Sequence, residues 1–148
     1  MNAAKAELET RLPHRRTMLL LDELVDADAS RAVCLVRITP ESGFFIPPAG
    51  IPAWVGIEYM AQTVAVIGGT RAMQAGDAAP EGFLLGTRKY RCSASHFPAG
   101  AELRIEAREL AFDSNGIGAY NCRIEAGEIE AEARLTIFQK VTDPVSAR

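Results

Sequence analysis

The chain has 148 residues, of which 48% are hydrophobic and 24% charged, with a formal net charge of −3. These values fit a globular domain with one substantial core and exclude a disordered chain. The basic residues are scattered rather than massed, which argues against a nucleic-acid footprint.

No apolar run is long enough to span a bilayer. The opening "MNAAKAELETRLPHRR" has neither an apolar core segment nor a cleavage pattern, so secretion is not expected and a cytoplasmic location is. Cys34, Cys92 and Cys122 are far apart and show no CxxC spacing, which fits reduced thiols buried as small hydrophobes. With two histidines in the chain, a Cys/His zinc site is not expected.

In chain order, residues 4–11 predict a short amphipathic helix or turn ending at "LPHR". The stretch 18–29, "MLLLDELVDADA", reads as an entry segment running into a strand. "RAVCLVRIT" (31–39) alternates apolar and polar residues and is rich in β-branched side chains, so it predicts a second strand. "PESGFFIPPAGIP" (40–52) is a loop by its Pro and Gly content.

Residues 53–74 predict a long helix. Its apolar residues, Trp54, Val55, Ile57, Met60, Val64, Val66 and Ile67, fall on all sides, the pattern of a buried helix. Pro52 fits its first turn, and Gly68 and Gly69 are places where it loosens or ends. Four segments of period-two alternation follow at 83–93, 100–112, 117–126 and 128–140. "DSNG" (113–116) and "AGE" (126–128) are hairpin signals. The tail "VTDPVSAR" reads as loose.

One apolar helix and a curved antiparallel sheet solve each other's burial problem if the sheet wraps the helix. The expected class is α+β, a single hot-dog domain over 1–148. Its free strand edges predict a homodimer.

The chemistry-bearing feature is Glu58, a carboxylate in the apolar run "GIPAWVGIEYMAQTVAV" (50–66). Such a group is costly in a dry core unless paired, hydrogen-bonded or protonated. Gln62 lies one helical turn later on the same face and can reach it. The bland alternative is a structural carboxylate on a partly exposed face. His14 and His96 are by default structural or surface histidines. Arg15, Arg16, Arg88, Lys89 and Arg91 are either a solvated face or a receiver for an acidic partner.

Three blocks carry a resemblance. "LPHRRTMLLLDELV" (12–25), "IEYMAQ" (57–62) and "GFLLGTRKYRCSASHFPAGAEL" (82–103) resemble, in order, motifs of hot-dog 3-hydroxyacyl-[acyl-carrier-protein] dehydratases. The wording "IPAWVGIEYMAQ" is similar to the dehydratase-like proteins of aryl polyene and xanthomonadin pigment clusters. The resemblance implies dehydration of a 3-hydroxyacyl thioester to the trans-2-enoyl product, in fatty-acid-like or polyene synthesis. The substrate would ride on the phosphopantetheine arm of an acyl carrier protein, with no other cofactor and no metal.

The resemblance places the acid at Glu58, with Gln62 beside it, in a tunnel at the dimer interface. Pro52, Ala53, Trp54, Gly56 and Gly86 become substrate-binding positions around the helix start and the first long strand. The base in that family is a loop histidine of the partner subunit, in "G-H-F-P-x-x-P-x-x-P-G". Here the loop reads "SGFFIPPAGIPAW", with no histidine, and it reads as shortened. His96, in "HFP", follows the helix instead of preceding it, and His14 belongs to the entry segment. His14 is therefore the remaining candidate base within the chain. Two alternatives stay open. One is a non-catalytic subunit that binds acyl carrier protein or pairs with a histidine-bearing paralogue. The other is a hot-dog thioesterase, whose chemistry needs a carboxylate and not the histidine.

Overall fold

A computed structural model describes residues 3–14 and 18–140. Arg15, Arg16 and the tail 141–148 lie outside the described residues. The elements in chain order are α1 (Ala3–Glu9), β1 (Glu23–Ala27), β2 (Arg31–Arg37), β3 (Ile51–Pro52), α2 (Val55–Ala75), β4 (Gly82–Cys92), β5 (His96–Phe97), β6 (Glu102–Phe112), β7 (Ile117–Ala126) and β8 (Ile129–Gln139).

The period-two segments become strands because each can send one set of side chains to a common core. On β6, Leu103, Ile105 and Ala107 turn inward. Tyr120, Cys122, Ile124 and Ala126 do so on β7, and Ala131, Ala133, Leu135 and Ile137 on β8. Arg and Glu occupy most of the alternate, outward positions. The strands form one antiparallel sheet in the order β1-β2-β6-β7-β8-β4, and β3 and β5 form a separate ribbon. Helix α2 packs against one face of the sheet, and its buried side chains belong to the same core cluster as the inward residues of the sheet. This is the hot-dog arrangement expected above.

The helix differs from the sequence reading in three ways. It begins at Val55, and Pro52 lies before it in β3, paired with His96. It runs through Gly68 and Gly69 and ends at Gly76, whose φ of 78° is the left-handed conformation that glycine adopts freely. The N–H of Gly76 bonds to Met73 O and that of Asp77 to Ala72 O, which closes the last turn. Gly69 is required by a close approach, since a Cβ there would lie 1.8 Å from the backbone oxygen of Arg11. Thirdly, the helix is not buried all round. Ile57, Glu58, Ala61 and Ala65 are half-buried and Trp54, just before the first turn, is exposed, so one stripe stays open in the single chain.

Burial decides the state of two of the cysteines. Desolvation pushes the thiols of Cys34 and Cys122 up to about 12, so both stay protonated and unreactive. Among the described residues no helix is long and apolar enough to cross a membrane.

Candidate active site

Glu58 stands in the first turn of α2. A carboxylate there is favoured by the helix dipole, typically by about 0.3–1 kcal/mol when exposed, and that is its simplest structural role. Its surroundings add more. Gln62, only 1% exposed, donates from Nε2 to Glu58 Oε1 at 3.0 Å. The same amide donates to Met18 O at 2.8 Å and accepts the Leu20 N–H at 3.0 Å. Two opposite backbone partners fix the orientation of the amide, because a flipped Gln62 would face a donor with its NH2 and an acceptor with its oxygen. Gln62 thus fastens the entry segment to the helix and holds Glu58 with its remaining donor.

The entry segment brings His14 with it. Its Nε2 is 4.0 Å from Glu58 Oε1, the oxygen that Gln62 holds. A histidine 44 positions away in sequence therefore shares the site with the carboxylate. The Glu58 side chain is 44% exposed in the single chain and that of His14 26%. Glu58 is held on one side and open on the other.

Replacing Gln62 with Ala is expected to leave the Leu20 N–H and Met18 O without their partner. That should cost about 1–3 kcal/mol. The measurements are a urea midpoint and the hydrogen exchange of the Leu20 amide. Unchanged protection of Leu20 would contradict the anchoring role.

The loop before α2 is not shortened, which corrects the expectation above. Counting back from Pro52, Phe44 stands eight places earlier, the interval between the histidine and the last proline of the resembled motif. Gly43 and Phe45 match the residues flanking that histidine, so Phe44 occupies its place. Phe44 has φ of 71°, uncommon for a bulky residue, and its side chain is exposed. It meets Trp54 edge to face, with ring centroids 5.7 Å apart. The two form an exposed aromatic pair beside the start of α2.

The remaining site residues are placed as follows. Ala53 donates its N–H to Ser95 O at 2.9 Å, and its carbonyl oxygen accepts from Gly56 N and from the Tyr90 hydroxyl. The N–H groups of Ala53 and Gly56 are thus already engaged within the chain. Gly56 is packed from inside the fold, where a Cβ would lie 2.5 Å from the Tyr90 hydroxyl. Gly86 lies at an irregularity of β4, with nothing near its Cα on the side-chain side.

Tyr90 is a residue that sequence reasoning missed. The irregularity of β4 between Arg88 and Arg91 turns it inward, and burial raises its pKa, so it keeps the proton it donates to Ala53. His96 also differs from expectation in its setting. Although it follows the helix in sequence, it pairs with Pro52 immediately before α2, and its Nδ1 is 2.9 Å from Ser95 Oγ. Its "HFP" context was visible, but a two-residue ribbon carries no periodicity to announce it.

Arg88, Lys89 and Arg91 are exposed on β4. Among the described residues no three His, Cys, Asp or Glu side chains cluster as a metal site would require.

A family model described as ApeP-like, ApeP dehydratase, matches residues 6–146. Among solved structures, the dehydratase heterocomplex ApeI:P from Xenorhabdus doucetiae is similar over 95% of both chains, with 27% identity and a TM-score of 0.84. A hypothetical thioesterase with coenzyme A from Streptococcus pneumoniae TIGR4 is similar over 80% of this chain and 84% of that one, at 11% identity and TM-score 0.63. The PaaI protein of the phenylacetic acid degradation operon of E. coli is similar over 80% of this chain and 79% of that one, at 12% identity and TM-score 0.61. These last two share the fold alone. No curated protein matches the chain.

Proposed function

The chain belongs to the ApeP-like dehydratase family, and on that premise we propose that it supplies the acid of a dehydratase site whose base comes from a partner subunit. The substrate is a 3-hydroxyacyl thioester on the phosphopantetheine arm of an acyl carrier protein, in aryl polyene or related fatty-acid-like synthesis. A histidine of the partner takes the C2 proton and the C2=C3 double bond forms. The C3–O bond breaks, and the protonated Glu58 gives its proton to the departing hydroxyl, which leaves as water. Gln62 and the entry segment hold the carboxyl group in place for this transfer.

One observation carries the reading. Glu58 is held by Gln62 on an open stripe of α2, while Phe44 stands where the resembled motif has its histidine. The open surfaces support a second subunit. The stripe from Trp54 to Ala65 is apolar or small apart from Glu58. Strand β4 is hydrogen-bonded on one edge, to β8, and carries exposed Phe83, Leu84 and Leu85. A free edge with apolar side chains is a place for another chain to add. The similarity to the ApeI:P heterocomplex supports a histidine-bearing paralogue as that chain. A homodimer would use the same surfaces, but its sites would lack the loop histidine. His14, 4.0 Å from Glu58, is then the candidate base.

The test is dehydration of a 3-hydroxyacyl carrier-protein substrate by the pure chain and then by its isolated complex with a histidine-bearing hot-dog paralogue. Slow turnover alone is expected, rising by about 10²–10⁴-fold with the partner. Rapid turnover by the pure chain, unaffected by His14→Ala or His96→Ala, would refute the division of labour.

A further inference from the structure

Gln62 fixes the carboxyl group of Glu58 relative to α2, and a second set of contacts fixes the turn of α2 that carries it. A helix start leaves backbone groups to be satisfied, usually by a short polar side chain just before the helix. Trp54 stands there, and its side chain makes no such bond. The start of α2 is instead held by residues 90–97, at the end of β4 and in β5. Ala53 donates its N–H to Ser95 O at 2.9 Å, and its carbonyl oxygen accepts from the Tyr90 hydroxyl as well as from Gly56 N. Ile51 and Pro52, just before, pair with Phe97 and His96.

Tyr90 reaches Ala53 through an irregularity in its strand. Thr87 is opposite Leu135, a core residue, and Arg88 is opposite Arg134, an exposed one. Strict alternation from there would turn Lys89 inward and Tyr90 outward. Between Arg88 and Arg91, however, β4 carries one residue more than β8 does opposite it. The extra residue leaves Lys89 exposed with φ of 53° and turns Tyr90 toward the start of α2. That left-handed φ is uncommon for a residue with a side chain, and it persists where the surroundings impose it. The helix keeps room for the contact, since a Cβ at Gly56 would lie 2.5 Å from the Tyr90 hydroxyl. Burying a ring at position 90 needs only a phenylalanine. The hydroxyl is the part that meets Ala53, and burial keeps it protonated as a donor.

We propose that Tyr90 is a positioning residue of the dehydratase site: its hydroxyl, through Ala53, sets where the first turn of α2 stands and so where Glu58 meets the substrate. The inference rests on the reading above that Glu58 is the acid. One edge of β4 is open to a second subunit. A base from that subunit and an acid from this one must meet on a single substrate, so the spacing between the interface strand and Glu58 governs the rate. Tyr90 joins that strand to the turn that bears the acid.

The test is steady-state dehydration of a 3-hydroxyacyl carrier-protein substrate by the isolated complex with a histidine-bearing paralogue. Tyr90→Phe keeps the ring and removes the hydroxyl. It is expected to lower kcat by about tenfold while KM changes by less than about twofold. In the Glu58→Gln background it should lower the residual turnover no further, because it acts through Glu58. Gly56→Ala, which drives a methyl group against the hydroxyl from the helix side, should lower kcat in the same way and provides the measurement if Tyr90→Phe does not assemble. Tyr120→Phe is the control. It too removes a core hydroxyl, one that donates to Glu109 at 3.1 Å, beside Arg71 toward the other end of α2. Its kcat should match the wild type. Wild-type kcat in Tyr90→Phe, with Glu58→Gln inactive, would overturn the positioning role and leave Glu58 as the acid. Equal losses in Tyr90→Phe and Tyr120→Phe, or a full further loss in the Glu58→Gln background, would reduce Tyr90 to general support of the fold and overturn it likewise. Full activity in Glu58→Gln would remove the reading of the acid, and this inference with it.

Discussion

Glu58→Gln is expected to abolish dehydration in the purified complex with a histidine-bearing paralogue, lowering turnover by about 10²–10⁴-fold. The substitution keeps the shape of the side chain, and its amide oxygen can still accept from Gln62 Nε2, so the local geometry is preserved. Its structural cost is the charge at the start of α2, at most about 1 kcal/mol at an exposed site. On the proposed reading, what it removes is the proton for the departing hydroxyl. A heterodimer of the proposed kind would have one site that joins the partner's histidine to Glu58 and one that joins Phe44 to the partner's carboxylate. Loss of Glu58 therefore disables the one complete pair. The complex must be isolated as such, because homodimers of the paralogue would contribute turnover of their own. Full activity in the isolated complex would exclude Glu58 as the acid.

Phe44→His should have the opposite effect on the pure chain, raising its slow turnover by about 10²-fold or more. Position 44 is separated from Pro52 by the same interval as the histidine of the resembled motif. Its φ of 71° is one that histidine adopts more readily than most side chains do. The ring is exposed, so the change costs little beyond its edge contact with Trp54. The gain should vanish in Phe44→His/Glu58→Gln, because a base without the acid completes half of the reaction. A folded Phe44→His dimer with no gain would show that the loop does not deliver position 44 to the partner's carboxylate. His14→Ala in the same background separates the two histidines. If the gain persists, His14 serves to hold the entry segment and orient Glu58; if it is lost, His14 takes part in the chemistry.

Local patterns determined much of this protein. The strands could be read because each alternates with period two, and a register of one face to the core follows from that alternation. The long helix could be read from its apolar density, and the Glu58–Gln62 pair from its spacing of four. These features depend on residues within a few positions of one another. The tertiary structure decided what depends on distant segments meeting. Residues 53–74 predicted a helix buried on all sides, yet no local pattern could show that the sheet stops short of Ile57, Glu58, Ala61 and Ala65. Gly68 and Gly69 suggested a helix end, because the reason for a glycine at 69 is the backbone of Arg11, far away in the chain. His14 joins Glu58 because Gln62 binds the backbone of Met18 and Leu20, a contact across more than forty residues. The opposed pairs Arg88–Arg134 and Arg31–Arg108 exist only through the register between strands. Composition showed those arginines as scattered, and strand pairing brought them into one row, since side chains far apart along the chain become neighbours only when the backbone hydrogen bonds align them.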